Sequence, residues 1–234
     1  MSKPSEDKNR PDRGRDRLLD EAERCFAQKG FAGARTKEIA ANVGVNTAMI
    51  HYWFGTKERL FFEVIARMIA DVMRLVDQVN PHDMSTEEKL EAFLVAYFEC
   101  MKRHPHFPQL TKMAVGFDAA DSFEDTIHRF FHPLLAAGER FIEDGIREGV
   151  FRPVDPRHFV LFIYGAVVSH FSEGRFLSMV IGEDALAPQA LDRRLDTMID
   201  TVFAALGATR PHRASITPGT LSPDAHAGRL KNAH

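Results

Sequence analysis

The sequence predicts an all-α protein of about nine helices. Apolar residues recur at steps of three and four through most of the 234-residue chain, which is the spacing of one helix face. Glycine and proline interrupt this pattern at intervals that match helix lengths, and no stretch alternates between apolar and polar residues as a half-buried strand would. We therefore predict a three-helix N-terminal unit followed by a larger helical unit.

Composition places the chain among ordinary globular proteins. Apolar residues make up 44% of it and charged residues 27%, and its length suffices for one or two domains with their own cores. No apolar run is long enough for a membrane span, and the polar start MSKPSEDKNR lacks the form of a secretory signal. Two cysteines, Cys25 and Cys100, are too few for a disulfide framework or a Cys-rich metal site. We expect a cytoplasmic protein with no cofactor and no metal.

The chain begins with a polar arm and one helix. Residues 1–14 are rich in charge and contain two prolines and a glycine, so we expect a flexible basic arm. The first helix follows over residues 15–29, with apolar residues at helical spacing and Gly30 as its terminator. This helix would brace the two that come next.

Two short helices joined by a glycine-containing turn follow, within residues 36–57. The first ends at Gly44, which can adopt the positive φ of a tight turn. The second begins at Asn46, a residue type that caps helix N-termini well, and ends at Gly55. This arrangement is that of a helix-turn-helix unit, whose second helix enters the major groove of DNA.

The remaining helices can be placed by their caps and prolines. Thr56 caps a long connecting helix, and Ser85 with Glu88 forms a capping box. Pro133 lies inside an apolar helical pattern and predicts a kink there. Residues 208–234 contain few large apolar residues, and we expect a disordered tail. The predicted helices C-terminal to Gly55 cover residues 56–79, 85–104, 109–117, 122–148, 156–171 and 189–206.

Residues 15–60 resemble the DNA-binding domain of the TetR family of transcriptional regulators. The matching residues are Phe26, Gly30–Phe31, Thr36, Ile39–Ala40, Gly44–Val45 and the run Trp53–Glu58. The resemblance implies a helix-turn-helix domain at 15–60 and a helical ligand-binding and dimerisation domain at 61–207. It also implies a homodimer whose interface is formed by the last two helices of each subunit. Two recognition helices in successive major grooves require a palindromic operator.

The charge distribution agrees with a double-stranded DNA partner. Residues 1–60 carry 12 Lys and Arg against 9 Asp and Glu, a net charge of +3, whereas the whole chain carries −3. A local basic surface is sufficient to attract phosphate. A solvated charged face is the alternative explanation of this excess.

The recognition helix contains no Arg or Lys, so bidentate guanine readout from it is excluded. Base recognition would rely on small contacts, such as those to thymine methyl groups, and the expected base contacts are Asn46, Thr47, Ala48, Met49 and His51. The expected phosphate contacts are Thr36, Lys37, Tyr52, Trp53 and Lys57. For Trp53 the alternative is a core aromatic between the third and fourth helices. Arg15 and the basic residues of the arm can also reach DNA.

The larger unit offers an aromatic interior for a small effector. The chain contains 19 Phe, and an apolar or aromatic molecule is the ligand that such an interior suits. Core packing explains most of these residues without a ligand. The candidate pocket residues are Phe93, Tyr97, Phe107, Met113, Phe117, Phe131, Tyr164 and His170. His104 and His106 do not form a metal pair, because no Cys or carboxylate is spaced to complete a site.

The sequence features bear on three classes of function: a repressor, a sensor or carrier of small molecules, and an enzyme. A ligand-responsive dimeric repressor explains the helix-turn-helix, the charge asymmetry and the helical remainder together. The alternative is a sensor or carrier of apolar small molecules with weak or vestigial DNA binding. An enzyme is not expected, since the chain contains no G-x-S-x-G, H-E-x-x-H or phosphate-loop motif.

Overall fold

The computed structural model describes residues 10–78, 84–115, 124 and 127–211, with side chains at 14–74, 84–115, 124, 127–128 and 131–211. Within these residues the chain forms ten α-helices, one π-helical turn and no strand, which confirms the predicted all-α class. None of the described helices combines the length and apolarity that crossing a membrane requires. The helices are α1 Arg10–Gly33, α2 Thr36–Val43, α3 Thr47–Phe54, α4 Lys57–Gln78, α5 Thr86–Arg103, α6 Phe107–Val115, α7 His132–Arg147, α8 Pro156–Ser172, α9 Gly174–Ile181 and α10 Pro188–Leu206.

Several helices begin and end at the predicted caps. The Oδ1 atom of Asn46 accepts a hydrogen bond from the Ala48 N–H (2.9 Å) at the start of α3. Ser85 and Glu88 form the predicted capping box at the start of α5. Gly44 adopts a left-handed conformation (φ 73°) at the end of α2, which a residue with a side chain rarely does. Local sequence therefore determines these boundaries.

Helix α1 begins earlier than predicted, and Arg15 within it contacts two neighbouring helices. It starts at Arg10, so residues 10–14, expected to belong to a flexible arm, are helical. Pro11 lies in the first turn, where its missing N–H needs no partner. Arg15 pairs with Glu63 of α4 (2.6 Å) and lies 5.0 Å from the centroid of the Phe54 ring. Arg15 therefore takes part in the packing of α1 against α3 and α4; residues 1–9 lie outside the described residues.

The predicted irregularity around Pro133 takes the form of a change in helix type. A π-helical turn, Ile127–Phe131, immediately precedes α7, and Pro133 lies in the first turn of that helix. Proline has no N–H to donate and displaces the carbonyl four residues earlier, which accounts for the wider turn.

Helix α9 was not predicted. It contains only eight residues, follows α8 after Glu173 alone and ends at Gly182. A short apolar run between two glycines does not distinguish a helix from a loop by periodicity.

The DNA-binding and regulatory parts share one apolar core through α4. The fully buried Phe61 packs its ring edge-on against Phe26 at a centroid distance of 5.1 Å and against Phe31 at 5.5 Å. Val64 and Met68 of the same helix are also fully buried. The core thus continues without a break across the boundary predicted at residue 60.

A polar cluster joins α1, α4 and the end of α5. The Nε2 atom of His104 lies 3.0 Å from Oδ2 of Asp71, and its Nδ1 lies 3.6 Å from Oε2 of Glu23. Arg67 approaches the same Glu23 oxygen at 3.4 Å. His104 thus connects three helices, and no group of three or more His, Cys, Asp and Glu residues in the described part of the chain is arranged to hold a metal ion.

The first residues of the predicted tail pack against the helical core. Arg210, expected in a disordered segment, donates hydrogen bonds to Glu91 of α5 (2.8 Å) and to Asp200 of α10 (2.8 Å). A third bond, to Asp196, measures 3.3 Å. Three acidic partners fix this residue on the α5–α10 surface, and residues 212–234 lie outside the described residues.

Candidate nucleic-acid interface

Apolar residues on the inner faces of α2 and α3 hold the helix-turn-helix together. Ile39 and Ala40 of α2 are buried, and so are Ile50 and Phe54 of α3. Ile50 and Phe54 are four residues apart and therefore lie on one face of α3. The opposite face of α3 is left for a partner.

The outward face of α3 presents the side chains predicted to contact bases. Asn46, Ala48 and His51 are exposed, whereas Thr47 and Met49 are half-buried. Tyr52 is the most exposed large side chain of the helix, at 80%. The expected inward orientation of Ile50 is confirmed, since it is fully buried. The structure brings the five predicted base contacts and Tyr52 together on one short helix.

His51 is oriented by the backbone at the end of α3. Its Nδ1 lies 2.9 Å from the carbonyl oxygen of Gly55. Because a carbonyl oxygen only accepts hydrogen bonds, Nδ1 carries the hydrogen in this contact, and Nε2 of the neutral ring is an acceptor. In this tautomer Nε2 would thus accept a hydrogen bond from an adenine or cytosine amino group.

Two of the predicted phosphate contacts take part in internal packing. Trp53 is half-buried and lies against α1, since a Cβ atom built on Gly14 would be 3.4 Å from its ring. The Nζ atom of Lys57 lies 4.4 Å from the centroid of the Phe31 ring, a cation–π contact. These contacts hold both side chains at the edge of the interface. Thr36 begins α2 half-buried, and Lys37 and Tyr52 are exposed.

Arg35 is a candidate contact that the sequence did not indicate. It is the exposed residue immediately before α2. Arg35 and Lys37 line an open groove of about 650 Å³ together with Asn46 and Thr47. Neither cation forms an ion pair with a residue that the structure describes. Two basic residues, Arg35 and Lys37, flank Thr36 in the sequence, and this pattern could have indicated Arg35 as a phosphate contact. Arg35 was overlooked because it precedes the predicted helix.

Four of the predicted pocket residues form two aromatic pairs. Phe93 stacks on Tyr97 at 5.8 Å, and Phe107 stacks on Phe131 at 6.3 Å. Tyr97 is 7% exposed, and its hydroxyl has no hydrogen-bond partner among the described residues. Burial, with a smaller contribution from nearby Tyr164, raises the pKa of Tyr97 well above its usual value. The phenol is therefore a neutral donor.

The other candidate pocket residues differ in their surroundings. The Nε2 atom of His170 lies 3.0 Å from the Ala185 carbonyl oxygen, so its ring fixes the loop after α9. Burial lowers the pKa of His170. Met113 is half-buried, Tyr164 is 39% exposed, and Phe117 lies outside the described residues.

Comparison with known proteins identifies the fold and the family. The family described as "Bacterial regulatory proteins, tetR family" matches residues 18–64. The family described as "Tetracyclin repressor-like, C-terminal domain" matches residues 83–212, more than half of the chain. A solved bacterial regulatory protein of the TetR family from Rhodococcus RHA1 superposes with a TM-score of 0.69 at 16% identity, over 84% of this chain and 98% of that one.

Two curated regulators are similar in sequence. The HTH-type transcriptional repressor NicS of Pseudomonas putida is 28% identical over 143 residues, 61% of this chain and 62% of NicS. The alignment thus spans less than two thirds of the length of NicS. The HTH-type transcriptional regulator RutR of Escherichia coli K12 is 24% identical over 156 residues, 67% of this chain and 72% of RutR. The helix-turn-helix geometry and the matches to both parts of the chain lead to one conclusion: this protein belongs to the TetR family of bacterial regulatory proteins.

Proposed function

We propose that the chain is a transcriptional repressor that binds a palindromic operator as a homodimer and is released by a small apolar or aromatic molecule. The main support for this proposal is that α3 has one buried face and one exposed face. Ile50 and Phe54 anchor the helix in the core, while Asn46, Ala48 and His51 are exposed beside Tyr52. An anchored helix with an exposed polar face is what reading a major groove requires. The described residues offer no arrangement that favours an enzyme.

Phosphate and base contacts would be divided along the helix-turn-helix. Thr36, Lys37 and Tyr52 lie at its edges and would bind phosphates, with Trp53 and Lys57 beside them. Residues 46–49 and His51 would contact base edges. The phosphate contacts supply most of the affinity and none of the sequence information. Since α3 carries no guanidinium, thymine methyl groups and DNA shape would decide much of the sequence preference.

Selection of bound sequences from a random duplex library tests this proposal. The wild-type chain should enrich a palindrome whose half-sites are about one helical turn, 10–10.5 base pairs, apart. Lys37→Ala or Lys57→Ala should weaken binding to all duplexes and reduce the salt slope by about one unit. Thr47→Ala should instead relax the preference at one position of each half-site.

The matched control is Lys112→Ala, which removes an exposed lysine of α6 outside the helix-turn-helix. Its affinity and salt slope should equal those of the wild-type chain. No enriched motif and equal affinity for all duplexes would refute the repressor and favour a sensor with vestigial DNA binding.

The Tyr97 hydroxyl, which none of the described residues hydrogen-bonds, supports an effector that has an apolar body and one hydrogen-bond acceptor. The stacked Phe93 ring provides an aromatic wall beside that hydroxyl. Binding would release DNA by favouring a conformation in which the two recognition helices are misplaced. The ligand must bind this conformation more tightly than the DNA-binding one, because equal affinity for both would not shift the equilibrium between them. A thermal-shift series of aryl ketones checks this. Tyr97→Phe should reduce the shift of every active compound; equal shifts for both proteins would contradict the assignment.

A further inference from the structure

Two exposed histidines lie side by side where the π-helical turn meets α7. His128 belongs to the turn Ile127–Phe131, and His132 is the first residue of α7. Both side chains are exposed, and their ring centroids are 4.6 Å apart with the ring planes at 70° to each other. Neither ring has a hydrogen-bond partner among the described residues. The ring nitrogens of both histidines are therefore available to a ligand from solution.

The spacing of the two histidines is that of a metal-binding pair. Helical residues four apart lie on one face, and two histidines at this spacing bind zinc in the H-E-x-x-H motif. The segment 128–132 reads H-R-F-F-H, so it supplies both histidines of such a pair without the glutamate. Imidazole nitrogen is a suitable ligand for Zn²⁺, Cu²⁺ and Ni²⁺, and a poor one for Mg²⁺ and Ca²⁺. The residue types therefore favour a transition-metal ion.

The distance between the two rings agrees with chelation of one ion. Zn²⁺ lies about 2.0–2.1 Å from an imidazole nitrogen, and this nitrogen is about 1.1 Å from its ring centre, so each ring centre would be about 3.2 Å from the ion. Two such rings at bond angles of about 90–109° have their centres about 4.5–5.2 Å apart. The observed 4.6 Å falls within this range. The backbone thus already places the two imidazoles at the separation of a chelate.

We propose that His128 and His132 bind one transition-metal ion of the Zn²⁺ class and that this ion stabilises the π-helical turn. The site would be open, because the described residues provide no third His, Cys, Asp or Glu in a metal-binding arrangement, and water would fill the remaining positions of a tetrahedral ion. Such a site exchanges its ion with solution, unlike a structural zinc site with a closed set of protein ligands. The expectation of no metal rested on the two cysteines and on His104 and His106, which are not part of this pair.

The π-helical turn connects this pair to the aromatic interior. Single π-helical turns occur frequently at functional sites, and the last residue of this one, Phe131, stacks on Phe107 of α6 at 6.3 Å. Gln109 of α6 in turn donates a hydrogen bond to the Ala27 carbonyl oxygen of α1 (2.9 Å). An ion that bridges the two ends of the turn would therefore stabilise one wall of the candidate pocket.

Edge-to-face packing of two aromatic rings is the alternative explanation of the histidine pair. Ring centroids in such pairs are also separated by about 4.5–7 Å. The two explanations differ in their consequence, because packed rings alone bind no zinc. The proposal is independent of the repressor: a chain that binds zinc at this pair and selects no DNA motif would refute the repressor and leave the metal site standing.

Calorimetric titration of the full chain with ZnCl₂ at neutral pH tests the proposal. The wild-type chain should bind zinc saturably, and MgCl₂ should not displace it, because Mg²⁺ requires oxygen ligands. His128→Gln and His132→Gln should each weaken binding at this site about 100-fold, because the second bond of a chelate forms at high effective concentration. The chain contains 11 His, so the number of bound ions is also informative: each variant should bind one zinc fewer than the wild type.

The matched control is His158→Gln, which removes an exposed histidine of α8 that has no second histidine within four residues. It should bind as many zinc ions as the wild type. Saturating ZnCl₂ should raise the Tm of the wild type and of this control more than that of His128→Gln or His132→Gln. Without zinc, far-UV circular dichroism should be the same for all four proteins, because the substituted side chains are exposed.

Two results would overturn the proposal. One is a wild-type chain that shows no saturable zinc binding. The other is equal zinc affinity and stoichiometry in the wild type, His128→Gln and His132→Gln, which would leave edge-to-face packing as the explanation of the pair.

Discussion

Arg210→Ala should destabilise the fold although the residue lies near the end of the described chain. The guanidinium is 23% exposed, and its partner Glu91 is 8% exposed. Burial alone would lower the pKa of Arg210, but hydrogen bonds to Asp200 and Glu91 outweigh it and raise the pKa above its usual value. The guanidinium is therefore charged throughout the pH range of the folded protein, and truncation leaves the Glu91 carboxylate buried and unpaired.

The magnitude follows from the exposure of the three acidic partners. Breaking a fully buried pair costs about 3–5 kcal/mol, and an exposed pair contributes about 0–1 kcal/mol. Asp196 and Asp200 are 37% and 65% exposed, so Glu91 accounts for most of the loss. We expect Arg210→Ala to lower the free energy of unfolding by about 2–3 kcal/mol. In a chain of this length that corresponds to a fall in Tm of roughly 5–10 °C.

Urea denaturation followed by circular dichroism measures this loss. The double variant Glu91→Gln with Arg210→Ala should be less destabilised than Arg210→Ala alone, because the stranded charge is gone. Asp200→Asn serves as the exposed control and should cost less than about 1 kcal/mol. A loss below about 0.5 kcal/mol for Arg210→Ala would refute the reasoning and place the cluster among ordinary surface pairs.

The remaining predictions concern packing and ionisation. Gly145→Ala should lower stability by about 1–3 kcal/mol in urea titrations, because a Cβ at this position would lie 2.2 Å from a ring carbon of Phe151; an unchanged midpoint would contradict the packing. Ile50→Ala removes a fully buried side chain from the inner face of α3, and it should lower the free energy of unfolding by about 2–5 kcal/mol and weaken operator binding. Burial raises the pKa of the Cys100 thiol to about 11. The folded pKa exceeds the unfolded value of about 8.5. The contribution of this thiol to the free energy of unfolding should therefore be constant below about pH 8.5 and decrease as the pH rises toward 11. At pH 8 Ellman's reagent should label Cys25 and Cys100 only after unfolding, and rapid labelling of the native chain would contradict their burial.

Local features of the sequence were sufficient for most helix boundaries. The capping box at Ser85 and the left-handed Gly44 are confirmed, because a cap depends on residues within one helical turn. The same locality explains the failure at α9, whose eight residues are too few for periodicity to identify. The roles assigned to side chains at the interface remain predictions.

Long-range contacts changed the interpretation of several polar residues. Arg15 pairs with Glu63, 48 positions away, a contact that the sequence did not indicate. Lys57 lies over the Phe31 ring. Arg210 was expected in a disordered tail and bonds to Glu91 across 119 positions. The spacing of residues along a helix does not indicate which residue a charged side chain will pair with. These pairs can therefore be identified only from the packed helices.

The sequence by itself determined the all-α class, the position of the helix-turn-helix and its resemblance to the TetR family. The class and the position follow from apolar spacing and from glycines and caps, which act over three or four residues, and the resemblance follows from the matching residues within 15–60. Only the tertiary structure decided that Arg35 and Lys37 line the same groove as Asn46 and Thr47. It alone revealed that, among the last three described helices, α8 and α9 expose large apolar side chains and α10 does not. The physical reason is the same in both cases: exposure is a property of packed helices, and the spacing of residues along one helix does not specify it.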